Sequence, residues 1–138
     1  MGELAKISII TWGAIWPTLL NTINGVKNVD PQLIKLARSM GVSTPGLFFK
    51  VIFPMALPSI ATGIRLSSAS ALLILVAAEM LGADQGLGFM IFYYQERYAI
   101  PTMFGGIITI AVIGVAINYI LVHLERRIVF WREKVVKF

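Results

Sequence analysis

Residues 107–122 read IITIAVIGVAINYILV, and no Asp, Glu, Lys or Arg occurs between Arg97 and Glu125. Crossing the hydrocarbon core of a bilayer takes about 20 predominantly apolar residues. At that depth there is no water for the backbone to bond, so a crossing segment that pairs its own amides must be helical. The stretch therefore predicts a membrane-spanning helix over about 101–123. Working back along the chain, residues 58–81 run through Leu72, Leu73, Ile74, Leu75 and Val76 with only Arg65 and Glu79 charged, and predict a second span. From Ile7 to Val26 no side chain is charged, which predicts a span over 7–26. Trp12, Trp16 and Pro17 inside that stretch, with no basic leader or A-x-A-like site, set it apart from a cleaved signal peptide. The expected fold class is all-α integral membrane, with three transmembrane helices and a connecting loop over 27–56. Composition agrees: 57% of residues are hydrophobic and 14% charged, against about 45–50% and about 25% in soluble domains.

The charge pattern orients these spans. Lys27, Lys35, Arg38 and Lys50 lie between the first and second spans, and Arg126, Arg127, Arg132, Lys134 and Lys137 follow the third. Between the second and third, Arg97 stands alone beside Asp84 and Glu96. Lys and Arg concentrate in cytoplasmic segments of membrane proteins, so the loop 27–56 and the tail 124–138 are expected in the cytoplasm. Phe130 and Trp131 among the tail arginines read as an interfacial anchor on anionic lipid. The net charge of +5 does not indicate nucleic acid, because the basic residues are not interleaved with aromatic or Gly-rich binding motifs.

Enzymatic chemistry is not encoded in any recognisable form. With no cysteine in the chain, disulfides, thiolate metal sites and cysteine nucleophiles are excluded. His123 is the only histidine and has no second ligand at metal-binding spacing, so no metal is expected. Neither a G-x-x-x-x-G-K-[ST] phosphate loop nor a nucleophile elbow is present, so no catalytic residue is expected and any ATP belongs to another chain.

The loop carries the most local information. Asp30 followed by Pro31 reads as an N-cap with proline at the first helical position, and Leu33, Ala37 and Met40 form an apolar stripe beside Lys35 and Arg38. Gly41 supplies a stop. A second start falls at Ser43 or Thr44 with Pro45 just inside, and a second stop at Pro54. Two short helices joined at a Gly41 corner are expected, either as a solvated or membrane-surface loop or as a docking element that transmits force into the spans. In the second span Ser59, Gly63, Ser67 and Ala71 recur at every fourth position, a row that suits close helix packing or pathway lining. Gly105, Gly106 and Gly114 invite the same reading in the third. Arg65 is placed to snorkel to the cytoplasmic interface. Glu79, beside Gly86 and Gly88, is a candidate for the pathway or outer gate, or an ordinary interfacial carboxylate.

The run Lys35-Leu36-Ala37-Arg38-Ser39-Met40-Gly41, nine further positions, then Val51-Ile52-Phe53-Pro54 resembles the EAA loop of ABC importer permeases, E-A-A-x-x-x-G, nine residues, I-x-L-P. Ala37, Gly41 and Pro54 match, and Val51 and Phe53 are apolar replacements. Leu36 and Lys35 depart, and Lys35 reverses the charge of the family's glutamate. The flanks Trp16-Pro17-Thr18-Leu19-Leu20-Asn21-Thr22, Ala78-Glu79-Met80-Leu81 and Gly86-Leu87-Gly88 are similar to the nitrate, sulfonate and taurine branch. This resemblance implies the C-terminal portion of a multi-pass permease subunit in the bacterial inner membrane. Its implied partners are a second permease copy, an ABC ATPase subunit that holds ATP and Mg and docks at the loop, and an extracytoplasmic substrate-binding protein. No cofactor is implied on this chain. Asp30, Pro31, Lys35, Ala37, Arg38, Gly41, Val51, Phe53 and Pro54 are then the implied coupling residues, alternating access the implied mechanism, and nitrate, a sulfonate or taurine the implied solute. Permeases of this branch have further N-terminal spans, so the chain is expected to be truncated. The rival expectation is a non-transporting small membrane protein or degenerate permease remnant with a structural or regulatory role. Lys35 and the missing spans favour it; the capping residues and the Gly41 spacing oppose it.

Overall fold

The computed structural model describes residues 2–129. The anchor expected at Phe130, Trp131, Arg132, Lys134 and Lys137 lies outside the described residues. Those described form helices and no strand: α1 (Glu3–Lys27), α2 (Pro31–Ser39), α3 (Thr44–Leu47), α4 (Phe53–Gly82), α5 (Leu87–Glu96) and α6 (Ile100–Ile128).

α3 and α4 are one rod. A π-helical turn, Phe48–Ile52, joins them into a continuous 39-residue helix, Thr44–Gly82. The stop expected at Pro54 is therefore overturned. Proline lacks an N–H and its ring presses on the carbonyl four residues before it, which breaks a regular α-helix. Widening the preceding turn to an i→i+5 pattern makes room for the ring, as single π turns do within longer helices. Pro54 follows directly on that turn, so the carbonyl its missing N–H would have paired falls where the ladder is already widened.

Thr44–Gly82 and Ile100–Ile128 are long and apolar enough to cross a membrane. α1 has the length, at 25 residues, but is not in that set, because Thr11, Thr18, Asn21, Thr22 and Asn24 dilute its apolar character. Those groups are locally satisfied in part. The hydroxyls of Ser8, Thr11 and Thr22 donate to the carbonyls of Leu4, Ile7 and Thr18 at 2.7–2.8 Å, and the Asn21 amide donates to the Pro17 carbonyl at 2.8 Å. Back-bonding of this kind spares a polar side chain the need for water.

α4 is the hub and packs against α1, α5 and α6. Gly25 lies against Ala56 and Ser59, Gly63 against Thr18 and Asn21, and Gly13 against Ile74, so α1 and α4 run antiparallel. Gly114 lies against Leu72, and Arg65 reaches Glu125, so α4 and α6 also run antiparallel. The connection from Asp84 to Ile100, for which no element is expected from sequence, holds α5. That helix wedges between α4 and α6 at the end away from α2: Gly88 meets Val76 and Glu79, and Ile91 meets Gly106. Its C-terminus closes with the amides of Tyr98 and Ala99 on the carbonyls of Gln95 and Tyr94, which puts Tyr98 at φ 56°, a conformation usually left to glycine.

Candidate functional site

At the α2 end, Asp30 Oδ1 accepts the Gln32 amide at 2.8 Å, with Pro31 in the first turn. This satisfies one of the four amides that a helix start leaves unpaired. The helix stops in a Schellman motif: the Gly41 amide bonds the Arg38 carbonyl at 3.0 Å and the Val42 amide bonds the Ala37 carbonyl at 3.2 Å. Gly41 holds φ 75° with open space around its Cα, so backbone conformation, rather than crowding, selects glycine there. Ser43 then caps the long rod, its Oγ accepting the Gly46 amide at 3.4 Å.

Of the stripe read as Leu33, Ala37 and Met40, only Ala37 is buried, at the edge of the stripe where Val29 and Leu47 are also buried. Leu33, Leu36 and Met40, at i, i+3 and i+7, share a stripe that points outward, 39%, 58% and 75% exposed. Lys35 and Arg38 are exposed on the remaining face. Where the rod begins, Phe48, Phe49 and Phe53 are exposed with their rings in contact, and Val51 and Pro54 are half-buried beside Lys50 and Met55 around a shallow depression. The residues read from the EAA-like pattern thus occupy one end of the molecule, on the helix pair that leads into α4.

Of the small-residue row, Ser59, Gly63 and Ser67 lie against α1, and Ala71 is half-buried. A Cβ on Gly63 would stand 2.8 Å from Asn21 Cβ, 3.1 Å from Thr18 Cα and 3.2 Å from the Pro17 carbonyl. Ser67 does more than leave room. Its hydroxyl accepts the Thr18 amide at 3.1 Å and donates to the carbonyl of Ala14, four residues earlier, so it straddles a rung of the α1 ladder. The Thr18 hydroxyl, 2.7 Å away, completes its hydrogen bonds. The rung next to it lacks a donor because of Pro17, which is where a polar group from a neighbouring helix is most useful. Spacing locates the row, but not this bond, which depends on the register of α1 against α4.

At the opposite end, Glu79 Oε2 accepts the Gly88 amide at 2.7 Å. A carboxylate at a helix N-terminus meets unpaired amides and the positive end of the helix dipole. Cβ atoms at Gly86 or Gly88 would collide with the Glu79 side chain, and Gly86 holds φ 128°. Glu79, Gly86 and Gly88, expected as a pathway or outer gate, are brought together as the cap that seats α5 on α4. Lys6 on α1 joins this end. It is 8% exposed and donates to Glu3 at 2.9 Å. That hydrogen bond, helped by the charges of Glu79 and Asp84, holds the Lys6 ammonium above the usual lysine range despite its partial burial.

Arg65, read as a snorkelling side chain, faces Glu125 at 3.7 Å, near the end of α6 that carries Arg126 and Arg127. Sequence separation hides this pairing. It follows only once α4 and α6 are known to run antiparallel.

Compared with known proteins, residues 1–130 match the family described as "Binding-protein-dependent transport system inner membrane component". The taurine transport system permease protein TauC of Escherichia coli is 36% identical over 98% of this chain and 49% of its own length. The nitrate import permease protein NrtB of Synechocystis is 32% identical over 96% of this chain and 48% of its own length. The chain spans about half the length of the curated relatives it matches.

Proposed function

The chain belongs to the family of binding-protein-dependent transport system inner membrane components, and from that premise we propose that it forms the C-terminal part of the permease of an ATP-driven importer for a small anion or organic solute such as nitrate, a sulfonate or taurine. In this reading α1, the Thr44–Gly82 rod and α6 span the bacterial inner membrane, with α2 and the start of the rod in the cytoplasm. The basic residues Lys27, Lys35, Arg38 and Lys50 at that end support the orientation. ATP and Mg belong to a separate ATPase subunit, and an extracytoplasmic binding protein and a second permease copy complete the importer.

The observation that carries the proposal is the outward stripe of Leu33, Leu36 and Met40 on α2, fixed by the Gly41 motif and continued into a rod with no chain break. A short amphipathic helix with its apolar face outward is suited to a groove in a partner. Movement of that partner pushes α2, and the rod carries the displacement into the membrane as a lever. Lys35 lies outside the stripe, so docking through apolar contact does not require the glutamate that it replaces.

The test is co-purification in detergent with the genomically adjacent ATPase, followed by ATP-driven taurine uptake in proteoliposomes. Leu36→Glu combined with Met40→Glu alters only exposed positions, so the fold is expected to survive while the complex and uptake are lost. Retention of both in the double variant would overturn the coupling role.

A further inference from the structure

Between α4 and α6 lies a cavity of about 260 Å³, lined by Arg65, Ser68, Leu72, Gly114, Asn118 and Leu121 among others. It is smaller than the roughly 300–1,000 Å³ of sites for drug-sized ligands. Its polar groups are underused. The Arg65 guanidinium has Glu125 at 3.7 Å, beyond hydrogen-bond range, and makes no hydrogen bond among the described residues. The Asn118 amide makes none either. Both lie within helices long and apolar enough to span a bilayer, where a charge or amide facing lipid is costly and therefore faces protein or water. The apolar hollow at the other end, lined by Val76, Met80, Ile91, Met103, Ile107 and Ile110 with only Gln95 polar, lacks such groups.

We propose that the α4–α6 cavity is a water-exposed station for a small oxyanion, with Arg65 as its counter-charge and the Asn118 amide as a hydrogen-bond donor in its wall. This rests on the importer reading above and names where in this chain the solute is held. Guanidinium is suited to the task, because its planar donors match sulfonate or nitrate oxygens in pairs. Glu125 competes for the same guanidinium at a distance too long to lock it, so an arriving anion displaces an ion pair and not a hydrogen bond. When the anion leaves, Glu125 neutralises Arg65 again, which keeps an uncompensated cation from holding the solute too tightly.

These 138 residues hold no cysteine, so an introduced thiol is the one thiol among them and its modification is assigned by mass on the peptide that carries it. The full-length protein carrying Asn118→Cys, in native membranes without ATP, is treated with 2-sulfonatoethyl methanethiosulfonate and with its trimethylammonium counterpart, each rate normalised to that with a simple thiol. Modification is read by mass on this chain. The anionic reagent is expected to react about tenfold faster than the cationic one, as a local positive field raises anion encounter. Excess taurine or nitrate is expected to slow it. Arg65→Gln is expected to abolish the preference and Arg65→Lys to keep most of it, which a merely structural arginine would not do. Val112→Cys, about 120° away round α6 by helical rotation and exposed outside the cavity, is expected to take neither reagent. Equal rates for the two reagents, equal labelling at both positions, or no labelling at Asn118→Cys would each overturn the proposal. Since no ATPase takes part, failure of the docking test and failure of this one are separate results.

Discussion

Helix α4 is held on one flank by interlocked backbone and on the other by fewer, looser contacts. Towards α1, Gly25, Gly63 and Ser67 bring the helices to backbone contact, and the Ser67 hydroxyl enters the hydrogen-bonding of its neighbour. Towards α6, the contacts include Leu72 on Gly114 and the Arg65–Glu125 pair at 3.7 Å, and Val112, Val115, Tyr119 and Ile120 stand 57–74% exposed. In a bilayer the hydrophobic effect does not press helices together, so close packing and hydrogen bonds decide which pairs hold. α1 and α4 therefore form the closest-packed pair, although Trp12 and Leu73 still stand 70% and 72% exposed on them. α6 packs on α5 as well as on α4 and leaves a broad apolar face exposed.

The largest test of that contrast is Gly63→Leu. Overpacked sites cost about 1–3 kcal/mol and occasionally more, and here the obstruction includes the Thr18 Cα and the Pro17 carbonyl, which cannot rotate away. Thermal unfolding in detergent, followed by the fluorescence of the Trp12–Trp16 pair on α1, is expected to show the upper end of that range or no folded protein. A melting curve unchanged by leucine would mean that α1 and α4 do not meet at Gly63.

Ser67→Ala removes the hydroxyl while keeping the small volume. The Thr18 amide and the Ala14 carbonyl keep each other across one rung of α1 but lose a shared partner, and a typical intramolecular hydrogen bond contributes about 0.5–1.5 kcal/mol. Polar contacts within membranes average nearer 0.6 kcal/mol, so about 1 kcal/mol is expected. Hydrogen exchange at the Thr18 amide should quicken while that at Ile110 in α6 does not. Equal quickening in both helices would mean that the two flanks of α4 are not separate units.

Glu79→Gln is smaller again. It keeps the shape of the α5 cap and removes its charge, a change worth about 0.3–1 kcal/mol at a helix N-terminus. Exchange in the first turn of α5 should rise with little change in the α1–α4 seam. An outer gate would give a different result: solute flux would change more than the stability of α5.

These tests also separate what could be read from the chain from what could not. Capping is local chemistry, so Asp30, Pro31, Gly41 and Ser43 announce α2 and the start of the rod without any knowledge of the fold. Long apolar runs likewise announce α4 and α6. Pro54 misleads because the expected stop assumes an α-helical turn before it, and the π turn removes the clash. α5 escapes notice since its ten residues are too few for a span and carry no N-cap side chain of their own; the cap is Glu79, from another helix. The roles of Ser67, Glu79 and Arg65 depend on which residue of a neighbouring helix stands opposite, and register between helices is not written in any one segment.

The smallest effect bears on the open flank. Val112 is 63% exposed on α6, so nothing in this chain loses packing when it is shortened. For the isolated chain Val112→Ala is expected within about 0.5 kcal/mol of no change, as for exposed positions generally. The measurement gains force when repeated in the assembled membrane complex. If a helix from a partner covers that face, removing two methyl carbons should cost more than about 1 kcal/mol, because each buried methylene is worth about 0.8 kcal/mol before any cavity is counted. If lipid covers it, chain fluidity fills the gap and the cost stays near zero. The difference between the two measurements, rather than either alone, tells whether α6 is bare by design or only until its partner is present.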